Sequence, residues 1–394
     1  MKYFGERKTS ELIYPFVIIC IHSSVFIYLA ASVSASFSDD FFQILAKEDA
    51  EKNIVCSPLS LEIVMAMTYM GAKGNTAKEL QTALKLPEDR NEVAKKYREF
   101  FTNLEGREKD AILELANRIY VNNQLELVPE YNKIVADSFK AEAVPINVDK
   151  NAAANINSWV SGHTRNKITE IVSPGDIDSG LLAVVINAIY FKGQWKHKFD
   201  KTRTRLENFR TSSNQIVPVD MMTANGYFLA EELRDLDAKV LELPYRNSSL
   251  SMKIFLPNKN DGLSKLERQI QSFARPLNRI KVNVKIPKFK VEFSKSLESL
   301  LKKLGITTAF SYVADLSGLV SAKARVSKVV QKTFLEVNEE GAEASAASAV
   351  SIVFRGGYEM DFHADHPFAF TIGDGNTIYF QGHYVSPAVE IKNR

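Results

Sequence analysis

The sequence predicts a mixed α+β fold, with helices early in the chain and many strands late. Three observations carry this prediction. Ser57-Pro58 opens a mostly apolar run from Leu61 to Met70. Leu181 to Phe191 is a nearly continuous apolar segment with several β-branched residues. Two later stretches, Leu250–Leu256 and Val282–Phe293, alternate apolar and polar residues.

Each element has a local cause. A serine at the cap with proline at the first helical position starts a helix, because the hydroxyl accepts an orphan N–H and proline lacks one. The run that follows is interrupted only by Glu62 and Thr68, so that helix is apolar on nearly all sides and is expected to be buried. Thr76-Ala-Lys-Glu79 has the spacing of a capping box for the next helix. Leu181–Phe191 reads as a strand buried on both faces of a central sheet. Leu250, Met252, Ile254 and Leu256 repeat with strand period. Val282, Val284 and Ile286 do the same, but after Pro287 the apolar set moves to Phe289, Val291 and Phe293, so the buried face flips at the proline. Ser296 to Leu304 reads as an amphipathic helix ended by Gly305. Thr333–Val337 and Phe368–Ile372 read as further strands.

At 394 residues the chain is more than twice the usual domain of roughly 150, which favours two or three domains. Against this, residues 36–340 contain no repeat, no Pro/Gly/Ser-rich linker and no shift in composition, so 36–394 reads as one domain. Hydrophobic (45%) and charged (25%) fractions are those of a globular protein and exclude disordered, collagen-like and mucin-like classes. Fifty basic against 47 acidic residues, a net charge of +3, is too balanced to imply a nucleic-acid partner. Two cysteines, Cys20 and Cys56, exclude a disulfide scaffold or a cysteine-rich zinc protein.

Residues 1–35 stand apart. Lys2, Arg7 and Lys8 precede an apolar stretch, and Val33-Ser34-Ala35 offers small residues for cleavage, so 1–35 reads as a signal peptide. The alternative is a signal anchor over Leu12–Val33, weakened by Pro15, His22, Ser23 and Ser24. Cleavage after Ala35 makes the protein secreted, with no membrane attachment, and removes Cys20, so no internal disulfide can form. Asn247-Ser-Ser249 is then a glycosylation sequon at Asn247.

No catalytic constellation is present. None of the six histidines lies in HExxH, and there is no GxSxG elbow and no P-loop. His363-Ala-Asp-His366 reads as a packed segment near the surface, Gly373-Asp-Gly375 as a turn, and Cys56 as a small buried apolar residue. The expectation is a protein that is not an enzyme, with no cofactor and no metal. Lys95, Lys96 and Arg98 are a weak candidate for polyanion binding; flanked by Glu92 and Glu99, they read better as a solvated helix face.

The informative segment is 339–361, EEGAEASAASAVSIVFRGGYEMD. An Ala/Ser linker or short helix is one reading. Period two offers another: Ala342, Ala344, Ala346, Ser348 and Val350 are small or apolar, and Glu343 falls on the opposite parity. A segment patterned this way could enter a sheet as a new central strand.

These residues resemble the serpin family. Glu339-Glu-Gly-Ala-Glu-Ala-Ser-Ala346 is similar to the hinge of inhibitory serpins, and Phe362–Ile372 to their C-terminal signature. Asn53–Pro58, Gly71–Thr76, Asn187–Trp195, Val219–Met222, Leu241–Tyr245 and Asp315–Gly318 match in order and spacing. The resemblance covers roughly residue 40 to Pro387. It implies one domain with about eight or nine helices, three β-sheets, a metastable central sheet and an exposed reactive-centre loop at about 339–361. It further implies a monomer that traps its target as a covalent acyl-enzyme. The hinge would comprise Glu339, Glu340, Gly341, Ala342, Glu343, Ala344, Ser345, Ala346, Ala347 and Ser348. Counting on from Gly341 places the scissile bond at Arg355-Gly356, which suits a trypsin-like serine protease; Val353, Phe354 and Gly357 flank it. Cleavage after Phe354 by a chymotrypsin-like enzyme is the rival, and a non-inhibitory carrier or chaperone is the alternative from another class. Ser57, Ser60 and Asn187 match the polar cluster that gates sheet opening, and Trp195 and Lys288 belong to the same machinery, Lys288 as partner of Glu339. Three positions depart from the family pattern: Ala342 replaces threonine or serine, Gln331 replaces a common histidine of the cluster, and Ala369 is smaller than usual.

Overall fold

The computed structural model describes residues 36–104, 111–178, 180–270, 273, 275–341, 359–375 and 377–387. The expected signal peptide, the hinge from Ala342 to Ser348 and the cleavage region from Val353 to Gly357 lie outside the described residues. Among the described residues the first half supplies α1 (Phe37–Glu48), β1 (Ile54–Cys56), α2 (Pro58–Gly71), α3 (Gly74–Leu84), α4 (Arg90–Leu104), β2 (Ala111–Asn122), α5 (Pro129–Phe139), β3 (Glu142–Ile146), α6 (Ala152–His163) and β4 (Ala183–Gly193). The second half is mostly strand: β5 (Arg205–Arg210), β6 (Ile216–Leu233), β7 (Ala238–Pro244), β8 (Ser251–Pro257), α7 (Leu263–Glu267), β9 (Asn278–Pro287), β10 (Phe289–Ser296), α8 (Glu298–Lys303), β11 (Val326–Val337), β12 (Glu359–His363), β13 (Phe368–Gly373) and β14 (Ile378–Tyr384). Helices early and strands late is the order the periodicities predict.

Two sheets hold these strands. One has five strands in the order β10-β11-β4-β2-β3; the other has nine, running β1-β14-β13-β8-β7-β6-β9-β12 with β5 paired to β6. Three sheets were expected, and β6 is the reason for two. Its 18 residues pair with β5 and β9 over the first part and with β7 over Leu229–Leu233, so one long strand fuses what would be separate sheets.

The sequence-level reasons hold for most elements. Ser57 caps α2 by accepting from the Ser60 N–H, Pro58 sits at the first helical position, and nearly every α2 side chain is buried. β4 is buried on both faces, between the main core and a second apolar cluster that includes α6 residues. The face flip at Pro287 marks where the chain leaves the nine-stranded sheet as β9 and enters the five-stranded sheet as β10. The helix expected from Ser296 starts at Glu298, and Gly305 follows it with φ +91°.

The Thr76–Glu79 capping box does not form. α3 starts at Gly74, and Thr76 Oγ1 instead accepts from the Asp315 N–H at 2.9 Å. Glu79 turns outward and accepts from the Thr307 and Thr308 N–H groups at 2.7 and 2.6 Å. A distant segment with unpaired donors outcompeted the local cap. No described helix is long and apolar enough to cross a membrane. Cys56 is free and fully buried, and burial pushes its thiol pKa up.

Candidate functional site

The site is built where β11 ends. Asn338 and Gly341 exchange backbone hydrogen bonds at 3.3 and 3.2 Å, and Asn338 Oδ1 accepts from the Glu340 N–H at 3.0 Å, so Glu339 and Glu340 are the corners of a tight turn. Gly341 has φ +96°, and a Cβ there would lie 2.2 Å from the Gly193 carbonyl oxygen; only glycine fits. The turn is pinned from the other side by Trp195 N–H to Glu340 O (3.0 Å) and Phe199 N–H to Glu339 O (2.9 Å). Trp195 donates its indole N–H to Asn338 O at 2.9 Å and stacks on Tyr245 with centroids 4.7 Å apart.

Both glutamates of the turn pair with lysines. Glu339 is buried, accepts a hydrogen bond from the Thr204 hydroxyl at 2.9 Å, and lies 3.2 Å from Lys288 Nζ. Burial pushes its carboxyl pKa up, but hydrogen bonds from its own backbone N–H, from Thr204 and from Lys288 outweigh it and hold the group below its usual range. Glu340 is held low chiefly by Lys201 at 2.6 Å, with Lys198 at 3.5 Å.

Beside this turn the five-stranded sheet is parted. β4 and β11 run parallel and pair from Val326↔Ala183 to Phe334↔Tyr190, where the pairing stops. Each strand continues to pair on its other side, β4 with β2 as far as Gly193 and β11 with β10 as far as Val337. The last three residues of β4 and β11 therefore face each other without ladder hydrogen bonds, and the Gln194↔Gly341 bridge closes the mouth of that gap.

Further down the same seam, Gln331 and Asn187 are direct register partners. Gln331 Nε2 donates to Asn187 Oδ1 at 2.6 Å and to Ser57 O at 3.0 Å, while Gln331 Oε1 accepts from the Ser57 N–H at 3.2 Å. Asn187 Nδ2 donates to Ser60 Oγ at 2.6 Å and to Asn117 Oδ1 at 2.5 Å. Ser57, Ser60, Asn187, Gln331 and Asn117 are all buried, so every one of these bonds is shielded from water. Glutamine thus ties two residues, Ser57 and Asn187, together through three hydrogen bonds, from a place where the family commonly has a histidine. Asn117 was missed by the sequence reading; an asparagine inside a strand whose next residues, Ile119, Tyr120 and Val121, are buried is the signal that could have found it.

Other candidates separate from this region. Asn247 is exposed, with φ +47°, in the turn between β7 and β8. His366 is buried, its Nε2 2.7 Å from the Pro257 carbonyl and its Nδ1 2.7 Å from Asp365, as a packed segment should be. No group of three metal-ligating side chains occurs among the described residues. On α4, Lys96 pairs with Glu62, Lys95 with Glu99, and Arg98 donates to Ser138, which fits the solvated-face reading.

Comparison with known proteins converges on one assignment. The family model "Serpin (serine protease inhibitor)" matches residues 32–387. Serine protease inhibitor 42Dd of Drosophila melanogaster is 50% identical over 361 residues, covering 90% of this chain and 97% of that protein. Human leukocyte elastase inhibitor is 37% identical over 376 residues, covering 91% and 99%. The crystal structure of Serpin48 from Tenebrio molitor superposes with a TM-score of 0.81 at 33% identity, covering 89% of this chain and 96% of that one. A family model that spans nearly the whole described chain and a relative half identical over its length show that the chain belongs to the serpin family of serine protease inhibitors.

Proposed function

We propose that this chain is a secreted suicide-substrate inhibitor of trypsin-like serine proteases, cleaved at Arg355-Gly356, and not itself an enzyme. The protease serine attacks the Arg355 carbonyl carbon, the Arg355–Gly356 bond breaks, and Gly356 leaves as the amine carrying the proton released through the protease's own base. An ester then joins the serine to Arg355. Strand insertion of the freed loop carries the protease away before water reaches the ester.

The observation that carries this reading is the match between the hinge turn and the seam. Extending the Asn338↔Gly341 pair as an antiparallel hairpin sets Ala342 against Val337, Ala344 against Leu335, Ala346 against Thr333, Ser348 against Gln331 and Val350 against Val329. Those five β11 residues are all buried, so only small or apolar partners suit them, and the loop offers them. The twelve residues of β11 correspond to residues 342–353 of the loop. Inserting a strand of that length adds roughly a dozen main-chain hydrogen bonds at about 1 kcal/mol each, on the order of 10 kcal/mol to drive the movement.

Arg355 supports trypsin-like selectivity, because a guanidinium is read by a buried carboxylate with high discrimination. The Met1–Ala35 leader and the exposed Asn247 sequon support secretion. The test is to mix the protein with trypsin. A denaturant-resistant complex and a released peptide running from Gly356 to Arg394 are expected. A peptide beginning at Arg355 would move the specificity to chymotrypsin-like enzymes, and cleavage with no complex would leave a carrier. Ala344→Pro should turn the inhibitor into a substrate, since proline cannot donate within a central strand.

A further inference from the structure

The two most exposed large apolar side chains among the described residues are neighbours: Tyr312 at 89% and Val313 at 79%. They form the apex of a turn, where polar residues are the rule. The turn is not loose. Ser311 Oγ donates to Thr308 O at 2.8 Å and accepts from the Val313 N–H at 3.3 Å, the Ala314 N–H bonds to Ser311 O at 3.2 Å, and the flanking Phe310 and Ala314 are buried. The Arg325 guanidinium carbon lies 5.1 Å from the Tyr312 ring centroid, so the apex sits beside the residue that precedes β11.

That position is where the inhibitory cycle ends. Under the hairpin register, Val353 falls opposite Val326, the first residue of β11, and Arg355 opposite Ala324, next to Arg325. Whatever is esterified to Arg355 is delivered against the turn that Arg325 touches.

We propose that the Tyr312–Val313 apex is a docking surface for the translocated protease, an apolar knob used only after loop insertion. The proposal rests on the trapping mechanism above and adds a contact to it. A rigid turn presenting a tyrosine and a valine has the make-up of an interface anchor, since aromatic side chains shielded from water carry most of the energy of such contacts. The contact exists only in the final complex, so it leaves recognition of the loop untouched and slows the breakdown of the trapped ester.

The test is the double substitution Tyr312→Ser, Val313→Ser, with Leu206→Ser, an exposed apolar residue on β5, as the remote control. Three quantities are read with trypsin: the association rate constant, the stoichiometry of inhibition, and the half-life of the covalent complex followed by recovery of protease activity. The double variant should match the wild type in the first two and lose its complex about tenfold faster, the effect of removing one good aromatic contact; Leu206→Ser should match the wild type in all three. Tyr312→Phe, which keeps the ring, should restore the half-life in the presence of Val313. An unchanged half-life in the double variant overturns the docking surface while leaving inhibition intact. A wild-type protein that forms no covalent complex overturns the inhibitory reading and the docking with it.

Discussion

Replacing Gln331 by leucine isolates the bond that ties the seam together. Leucine has similar bulk, so no large cavity forms, but three hydrogen bonds vanish. Ser57 O keeps a partner in the Leu61 N–H at 3.2 Å. The Ser57 N–H and Asn187 Oδ1 each lose the partner that Gln331 supplies. Each orphaned buried group costs about 1–3 kcal/mol, so the native state should lose roughly 2–6 kcal/mol. At about 2 °C per kcal/mol for a large domain, the thermal midpoint should fall by roughly 4–12 °C. The loop-inserted form should suffer less, because a strand placed between β4 and β11 already separates Gln331 from Asn187. The assay is parallel thermal melting of the intact protein and of protein cleaved in the loop by a non-target protease. A larger drop for the intact form, with a lower temperature for spontaneous insertion, is expected. An intact midpoint within a degree of wild type, or an equal drop in both forms, would refute the claim that this bond holds the seam closed.

Further outcomes follow from the same geometry. Gly341→Ala must push the hinge away from the Gly193 carbonyl, 2.2 Å from the new Cβ, so the variant should melt several degrees lower or fail to accumulate, whereas Gly375→Ala, with open space around it, should be milder. Glu339 has its pKa lowered in the folded state, so the stability it contributes is present above its ordinary value of 4.5 and is lost as pH falls through the lower folded value. The difference in stability between wild type and Glu339→Gln should therefore be full at pH 7 and shrink below pH 4.5; a pH-independent difference would reject the ionic role of the Lys288 pair. Cys56, fully buried with its thiol pKa pushed up, should resist an aqueous thiol reagent in the native protein and react on unfolding; fast native labelling would contradict the packed β1 strand.

Much of the fold is legible in the residues. α2, β4, β8 and the switch at Pro287 announce themselves, because caps, apolar runs and period-two alternation are properties of neighbouring residues. The turn at 338–341 left one local mark, a glycine that follows two acids, and the structure shows Gly341 at positive φ there. The Thr76–Glu79 misreading shows the limit. The spacing was right for a cap, but Glu79 found better donors more than two hundred residues away at Thr307 and Thr308. Asn117 escaped for the same reason, since its role depends on a register with β4 that no local pattern encodes.

What the sequence determined alone was the class of the fold, the family resemblance, and the small-residue parity of positions 342–350. Those features rest on side-chain size, charge and period along the chain. What only the tertiary structure decided was that β4 and β11 are neighbours parted at the hinge end, that Gln331 and Asn187 close the seam between them, that β6 fuses two sheets into one, and that Arg325 carries Tyr312 to the end of the seam. All but the last rest on pairings between residues far apart in sequence. Such pairings are selected by how the whole core packs and by where buried donors and acceptors can be satisfied together.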